Sequence, residues 1–194
     1  PQVETIWQRD KEKFDILLSY FSSGYFRTYE EKAGNVLTAC NGLPDWQKTI
    51  IGLGANPNAE NSNGQTPLFT AIDNLLPAAR TMSAIIPLRR PYVITDPQQL
   101  KQSVLYLIAE GADANMSGNG KLMFGMPIVT PLGAACVKGY PEIIEILLNA
   151  GADPNLPSMD LTALDLCTLF PDQYADENAH RQAVELIKKH GGMR

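Results

Sequence analysis

Residues 130–155 read TPLGAACVKGYPEIIEILLNAGADPN, and the way this stretch is parsed decides the fold. Thr130-Pro131 starts a helix, with a hydroxyl to cap it and a proline at the first helical position, where no N–H is needed. Ala134, Ala135 and Cys136 keep that helix thin, so a neighbour can approach. Tyr140-Pro141-Glu142 begins a second helix. Its Ile143, Ile144, Ile146, Leu147 and Leu148 fall on the buried stripe of a 3.6-residue period. Gly151 ends it with positive φ, and Ala152 to Asn155 opens a hairpin. One such unit cannot bury both of its faces, so copies must stack.

Copies are present. Thr66-Pro67-Leu68 matches Thr130-Pro131-Leu132, and Leu161-Thr162-Ala163-Leu164 continues the series 32 residues after the second. A second marker recurs as Gly54-Ala55-Asn56-Pro57-Asn58, Gly111-Ala112-Asp113-Ala114-Asn115 and Gly151-Ala152-Asp153-Pro154-Asn155, and Lys188 to Gly192 is a degraded copy. On these residues the chain resembles the ankyrin-repeat family, whose unit of about 33 residues is a hairpin followed by two antiparallel helices. The resemblance runs from Gly34 to Gly192. It implies an all-α ankyrin-repeat solenoid of about four helix-pair units with short β-hairpin fingers. The units are expected at about 34–58, 59–115, 116–155 and 156–194. The second helices are expected at about Pro44–Leu53, Pro97–Glu110, Pro141–Ala150 and Ala179–His190. Residues 1–33 are expected to form an N-terminal helical cap, from the helical spacing of Ile6, Phe14, Ile16, Leu17, Leu18 and Phe21.

The totals agree with a globular chain. Hydrophobic residues make up 44% and charged residues 19%, far from the composition of disordered segments. A net charge of −5 argues against a nucleic-acid or anionic-membrane surface, which needs clustered Lys and Arg. The sequence shows no apolar run long enough to span a bilayer and no basic-then-apolar pattern of a signal peptide, and a targeting segment could have preceded Pro1. Three cysteines are an odd count without close pairing and read as free thiols in a reducing compartment. The chain starts at Pro1 rather than Met and reads as a segment of something longer.

The departures from the repeat carry more information. Thr66 and Gly111 are 45 residues apart, against 21 for Thr130 and Gly151, which leaves an insertion at about 75–98. It reads either as a lengthened helix pair with an ordered loop or as a partner-binding arm carrying Arg89 and Arg90, since long loops in compact domains are often functional. Asn115 and Thr130 are 15 residues apart, against eight for Asn58 and Thr66. The extra finger holds Leu122, Met123 and Phe124, apolar where a tip is normally wet. They either anchor a partner or fold back on the insertion. The acidic stretch Pro171 to Asn178 reads as a solvated loop.

Chemistry finds little support. Cys40, Cys136 and Cys167 align with the small positions of the first helix and behave there as small hydrophobes. His180 and His190 fall at a helix start and in a last turn, both structural places. No phosphate-binding glycine loop, HExxH or CxxC occurs. Asn58, Asn115 and Asn155 are expected to satisfy backbone groups at the hairpin bases. The resemblance lacks the family's His after Thr-Pro-Leu, where Phe69, Gly133 and Asp165 stand, so the bonding between units has to differ.

The expectation is therefore a protein-protein interaction module, with no catalytic, cofactor-binding or metal-binding residue. The alternative is an enzyme whose site lies in an insertion or outside this segment. The family's recognition face, carried over by position, is Glu60, Ser62, Asn63 and Gln65 in one finger with Asp73 and Asn74 behind it. In the following units it is Val137 and Lys138, then Ser158 and Asp160. Leu122, Met123 and Phe124 join them as an apolar anchor. The partner is another protein, not nucleic acid or membrane, and the chain is expected to be a cytoplasmic monomer. Its irregular repeats also resemble secreted effectors of intracellular bacteria, which would place it in a host cytosol.

Overall fold

In a computed structural model, the described residues are 30–75, 78, 97–116, 118, 120–121, 127–158 and 160–193. They form four helix pairs. These are α1 (Glu30–Ala39) with α2 (Pro44–Gly52), α3 (Pro67–Asp73) with α4 (Pro97–Ala109), α5 (Pro131–Lys138) with α6 (Pro141–Asn149), and α7 (Ala163–Leu169) with α8 (Glu177–Lys189). The first helices stack in the order α1, α3, α5, α7, and each of the four packs on its own partner. In the outer row α2 lies on α4, while Lys101 of α4 pairs with Glu142 of α6 and stands 5.1 Å from the Tyr140 ring. Two strands, β1 (Gly120–Lys121) and β2 (Pro127–Ile128), pair antiparallel with Gly120 opposite Ile128.

The same local chemistry repeats at every joint. Thr66, Thr130 and Thr162 each cap a first helix, their hydroxyls accepting from the amides of Phe69, Gly133 and Asp165. Each outer helix closes with one backbone bond from the residue after a turn to a carbonyl five positions back: Ala55 to Ile50, Ala112 to Leu107, Ala152 to Leu147 and Gly192 to Ile187. All four of those acceptor residues are fully buried, so the bond that ends each helix also marks its core position. Burying a side chain of this size contributes about 1.5–3 kcal/mol. Observed outer helices begin at the expected prolines. The last begins two residues early, because Asp176 caps it by accepting from Ala179 N at 2.8 Å.

The asparagine side chains satisfy backbone groups at the hairpin base of the following unit. Asn58 donates to the Gly111 carbonyl at 3.0 Å and accepts from Asp113 N at 2.7 Å. Asn115 makes the same pair of bonds to Gly151 and Asp153, at 2.9 and 2.7 Å. Asn155 repeats them with Gly191 and Met193, at 3.1 and 2.8 Å. Three staples of one geometry therefore join four units. A buried polar seam adds to the first joint. Gln47 donates to Asn41 Oδ1 at 3.1 Å, Asn41 donates to Thr70 Oγ1 at 3.0 Å, and the Gly42 amide donates to Ser103 Oγ at 2.9 Å.

Two expectations fall mostly outside the described residues: the helical cap over 1–33, of which only 30–33 are seen, opening α1, and the insertion at 75–98. At the edge of that insertion, Leu75 is buried and Ala78 N donates to the Lys138 carbonyl at 2.9 Å. The stretch Pro171 to Asn178 is not merely a solvated loop. Its short 3-10 turn, Pro171–Gln173, leads to a buried Gln173 and Tyr174, and the Tyr174 hydroxyl donates to Cys167 Sγ at 2.9 Å. The aromatic ring supplies the apolar area that anchors the acidic stretch to α7.

Candidate protein interface

The three threonine caps set a common register on the first helices. Seven residues past each cap stand Asp73, Val137 and Leu169, and eight past stand Asn74, Lys138 and Phe170. Leu169 is 56% exposed, whereas Val137 is only 5% exposed. Val137 therefore offers a partner no surface, and it leaves the expected set. Asp73 and Lys138 are engaged with each other. The Lys138 ammonium donates to the Asp73 carbonyl at 2.7 Å and lies 3.7 Å from its carboxylate. A cation at the last turn of α3 also suits the helix dipole, so this pair braces α3 against α5. Asn74 is exposed beside it.

The first finger winds around one residue that the repeat pattern does not single out. Asn61 is buried, and its Oδ1 accepts from the amides of Asn63 at 2.9 Å and Gln65 at 3.1 Å. This is an Asx turn, and its signal was the run Asn61-Ser62-Asn63-Gly64. The turn leaves Glu60, Ser62 and Asn63 exposed and Gln65 half-buried. Ser62 is also tied back to α1, its amide and hydroxyl both donating to Asn35 Oδ1 at 3.1 Å. A Cβ on Gly34 would stand 2.1 Å from the Glu60 carbonyl oxygen, so α1 and the finger meet at backbone distance.

The second finger contains the β1–β2 pair, and its base rests on α3, where a Cβ on Gly118 would lie 2.6 Å from the Phe69 ring. Leu122, Met123 and Phe124 lie outside the described residues. In the third finger Ser158 and Leu161 exchange backbone bonds at 2.8 and 3.2 Å around Asp160, which is exposed with φ +63. An aspartate tolerates this left-handed conformation better than most residues. Ser158, only 3% exposed, lies 3.1 Å from Thr130 Oγ1 and accepts from Val129 N at 3.4 Å. It stitches two units together and cannot face a partner, a second correction to the expected set. Glu60, Ser62, Asn63, Asn74 and Asp160 are thus the exposed members. Leu169 was missed, although counting seven from Thr162 would have found it.

The ankyrin-repeat family model matches residues 129–158. No curated protein matches the chain. The matched ankyrin repeat spans the Thr130 cap, α5, α6 and the Asn155 turn, and the helix pairs on either side repeat its caps and staples. The fold is all-α, consistent with an ankyrin-repeat stack. No helix among the described residues is long and apolar enough to cross a membrane.

The thiols occupy the interior of this stack. Cys40, Cys136 and Cys167 are all buried and free. Burial pushes Cys40 up to about 12 from 9.0. Burial, with the neighbouring Cys167 thiol, raises Cys136 well above its ordinary value. Nucleophilic thiol chemistry requires the opposite shift. His180 has its Nε2 3.2 Å from the Cys167 carbonyl and its ring 5.1 Å from Tyr174, a packing role. In the folded protein a disulfide reagent at about pH 8 should label none of the three thiols, and all three after unfolding. One fast-reacting thiol would reopen the enzymatic reading. Because folding raises the Cys40 value, its contribution to stability is complete below pH 9.0 and declines as the pH rises toward 12.

Proposed function

We infer that the chain is a protein-protein interaction module that holds another protein against its fingers and first helices without turning over a substrate. The observation that carries this reading is the division of labour along the stack. Staples and buried polar groups absorb the residues at the joints, while Glu60, Ser62, Asn63, Asn74 and Asp160 stand exposed at finger tips and at the end of a first helix. A rigid scaffold that presents variable polar tips binds by shape and a few strong contacts. The buried free thiols fit a cytoplasmic location, and the chain acts as a monomer whose partner lies against the fingers and first helices.

The test uses two exposed positions of the first finger. The double substitution Glu60→Arg and Asn63→Arg should weaken a partner captured from cell extract by at least about tenfold, measured by titration with the purified partner. It should leave the melting temperature within about 2 °C of the parent. Unchanged affinity would remove the first finger from the interface. Lys138 is a poor site for this test, because breaking its pair with Asp73 disturbs the scaffold.

A further inference from the structure

Between Lys138 and Arg181 the chain carries eight acidic residues and no lysine or arginine. Three of the acids follow α7: Asp160 at the finger tip, Asp165 in the first turn, and Asp172 in the 3-10 turn beyond its end. Asp165 uses Oδ2 to cap Thr162, which holds the carboxylate in place without cancelling its charge. The ion pairs Lys101–Glu142 and Lys138–Asp73 do not reach this lip. Four residues along the helix from Asp165, on the same face, Leu169 is 56% exposed. Phe170, half-buried, follows it. In the two preceding units the equivalent position holds Asp73, engaged with Lys138, and Val137, buried. Among the described residues at this position of the three units, only Leu169 presents a large apolar side chain to water, and along the chain Asp165 precedes it and Asp172 follows it.

We propose that this lip, formed by Asp160, Asp165, Leu169, Phe170 and Asp172, docks a basic segment of the partner protein. One apolar side chain of the segment sits on Leu169 and Phe170, and lysine or arginine residues on either side of it meet the aspartates. The proposal rests on the interaction-module reading and adds the chemistry of the partner. Charge complementarity selects this occupant: acidic or phosphorylated segments and anionic lipid meet like charge here, while an apolar contact between two cationic side chains satisfies every exposed group.

The probe is a displayed library of random peptides of about 12 residues, selected on the folded chain. The expected consensus is one large apolar residue flanked by Lys or Arg. A synthetic peptide of that consensus should lose at least about tenfold in affinity with Leu169→Ser, and likewise with Asp160→Lys combined with Asp172→Lys. Its affinity should also fall several-fold between about 50 and 300 mM salt. A neutral or acidic consensus, or affinity indifferent to both variants, overturns the proposal. Peptides that respond to Glu60→Arg with Asn63→Arg but not to Leu169→Ser would leave the interaction module standing and remove the lip. No enriched peptide at all would overturn both.

Discussion

Replacing Gly139 by alanine should lower the unfolding free energy by about 3–5 kcal/mol, measured by urea denaturation. Gly139 ends α5 at φ +77, a region where an L-residue is disfavoured by roughly 1–2 kcal/mol. A Cβ there would stand 2.3 Å from the Gln173 carbonyl oxygen and 2.8 Å from Tyr174 N. Both are backbone atoms of the turn that buried Tyr174 anchors, so neither can swing aside as a flexible side chain could. Relief would require lifting the turn and withdrawing the ring that covers Cys167. Gly151→Ala is the internal control. Gly151 has φ +89, and a Cβ there would meet nothing within 4 Å, so it should show the backbone term alone, about 1–2 kcal/mol. Equal losses at the two sites would mean that the Pro171–Gln173 turn does not press on α5.

Asn115→Ala should cost about 2 kcal/mol, which for a chain of this size lowers the melting temperature by about 4–8 °C. The amide side chain holds the Gly151 carbonyl and the Asp153 amide at once, at 2.9 and 2.7 Å, and alanine replaces neither bond. Water compensates part of the loss because the staple lies near the surface. Position in the stack should decide how the loss is distributed. Asn115 joins the middle units, so its removal should weaken the cooperative unfolding of the whole stack. Asn155 makes the same bonds to Gly191 and Met193 at the last unit. Asn155→Ala should therefore speed amide exchange mainly in the turn after α8. Uniform acceleration for both variants would show that the units do not unfold as separable neighbours.

How much of the molecule was legible depended on the range of the interactions involved. Thr130-Pro131 and Gly151 act within one turn of chain, so caps, helix starts and helix ends could be assigned from residue types alone. The cysteines were readable as buried filler because they aligned with the small positions of the first helix. The bonding between units was harder. The missing His after Thr-Pro-Leu raised the question of what joins the copies. The answer, an asparagine reaching into the next unit, required knowing which backbone groups come within hydrogen-bond reach. The candidate interface was legible by position but not by exposure. Val137 and Leu169 occupy one register, yet one is covered and the other open.

The sequence by itself determined the repeating unit and most of the helix starts, because hydroxyl caps, prolines, left-handed glycines and a 3.6-residue apolar stripe are properties of short segments. Only the tertiary structure decided which of the repeated positions remain available to a partner. Exposure depends on what a neighbouring unit lays over a side chain. That neighbour ties Ser158 to Thr130 and Lys138 to Asp73, and leaves Leu169 uncovered among aspartates.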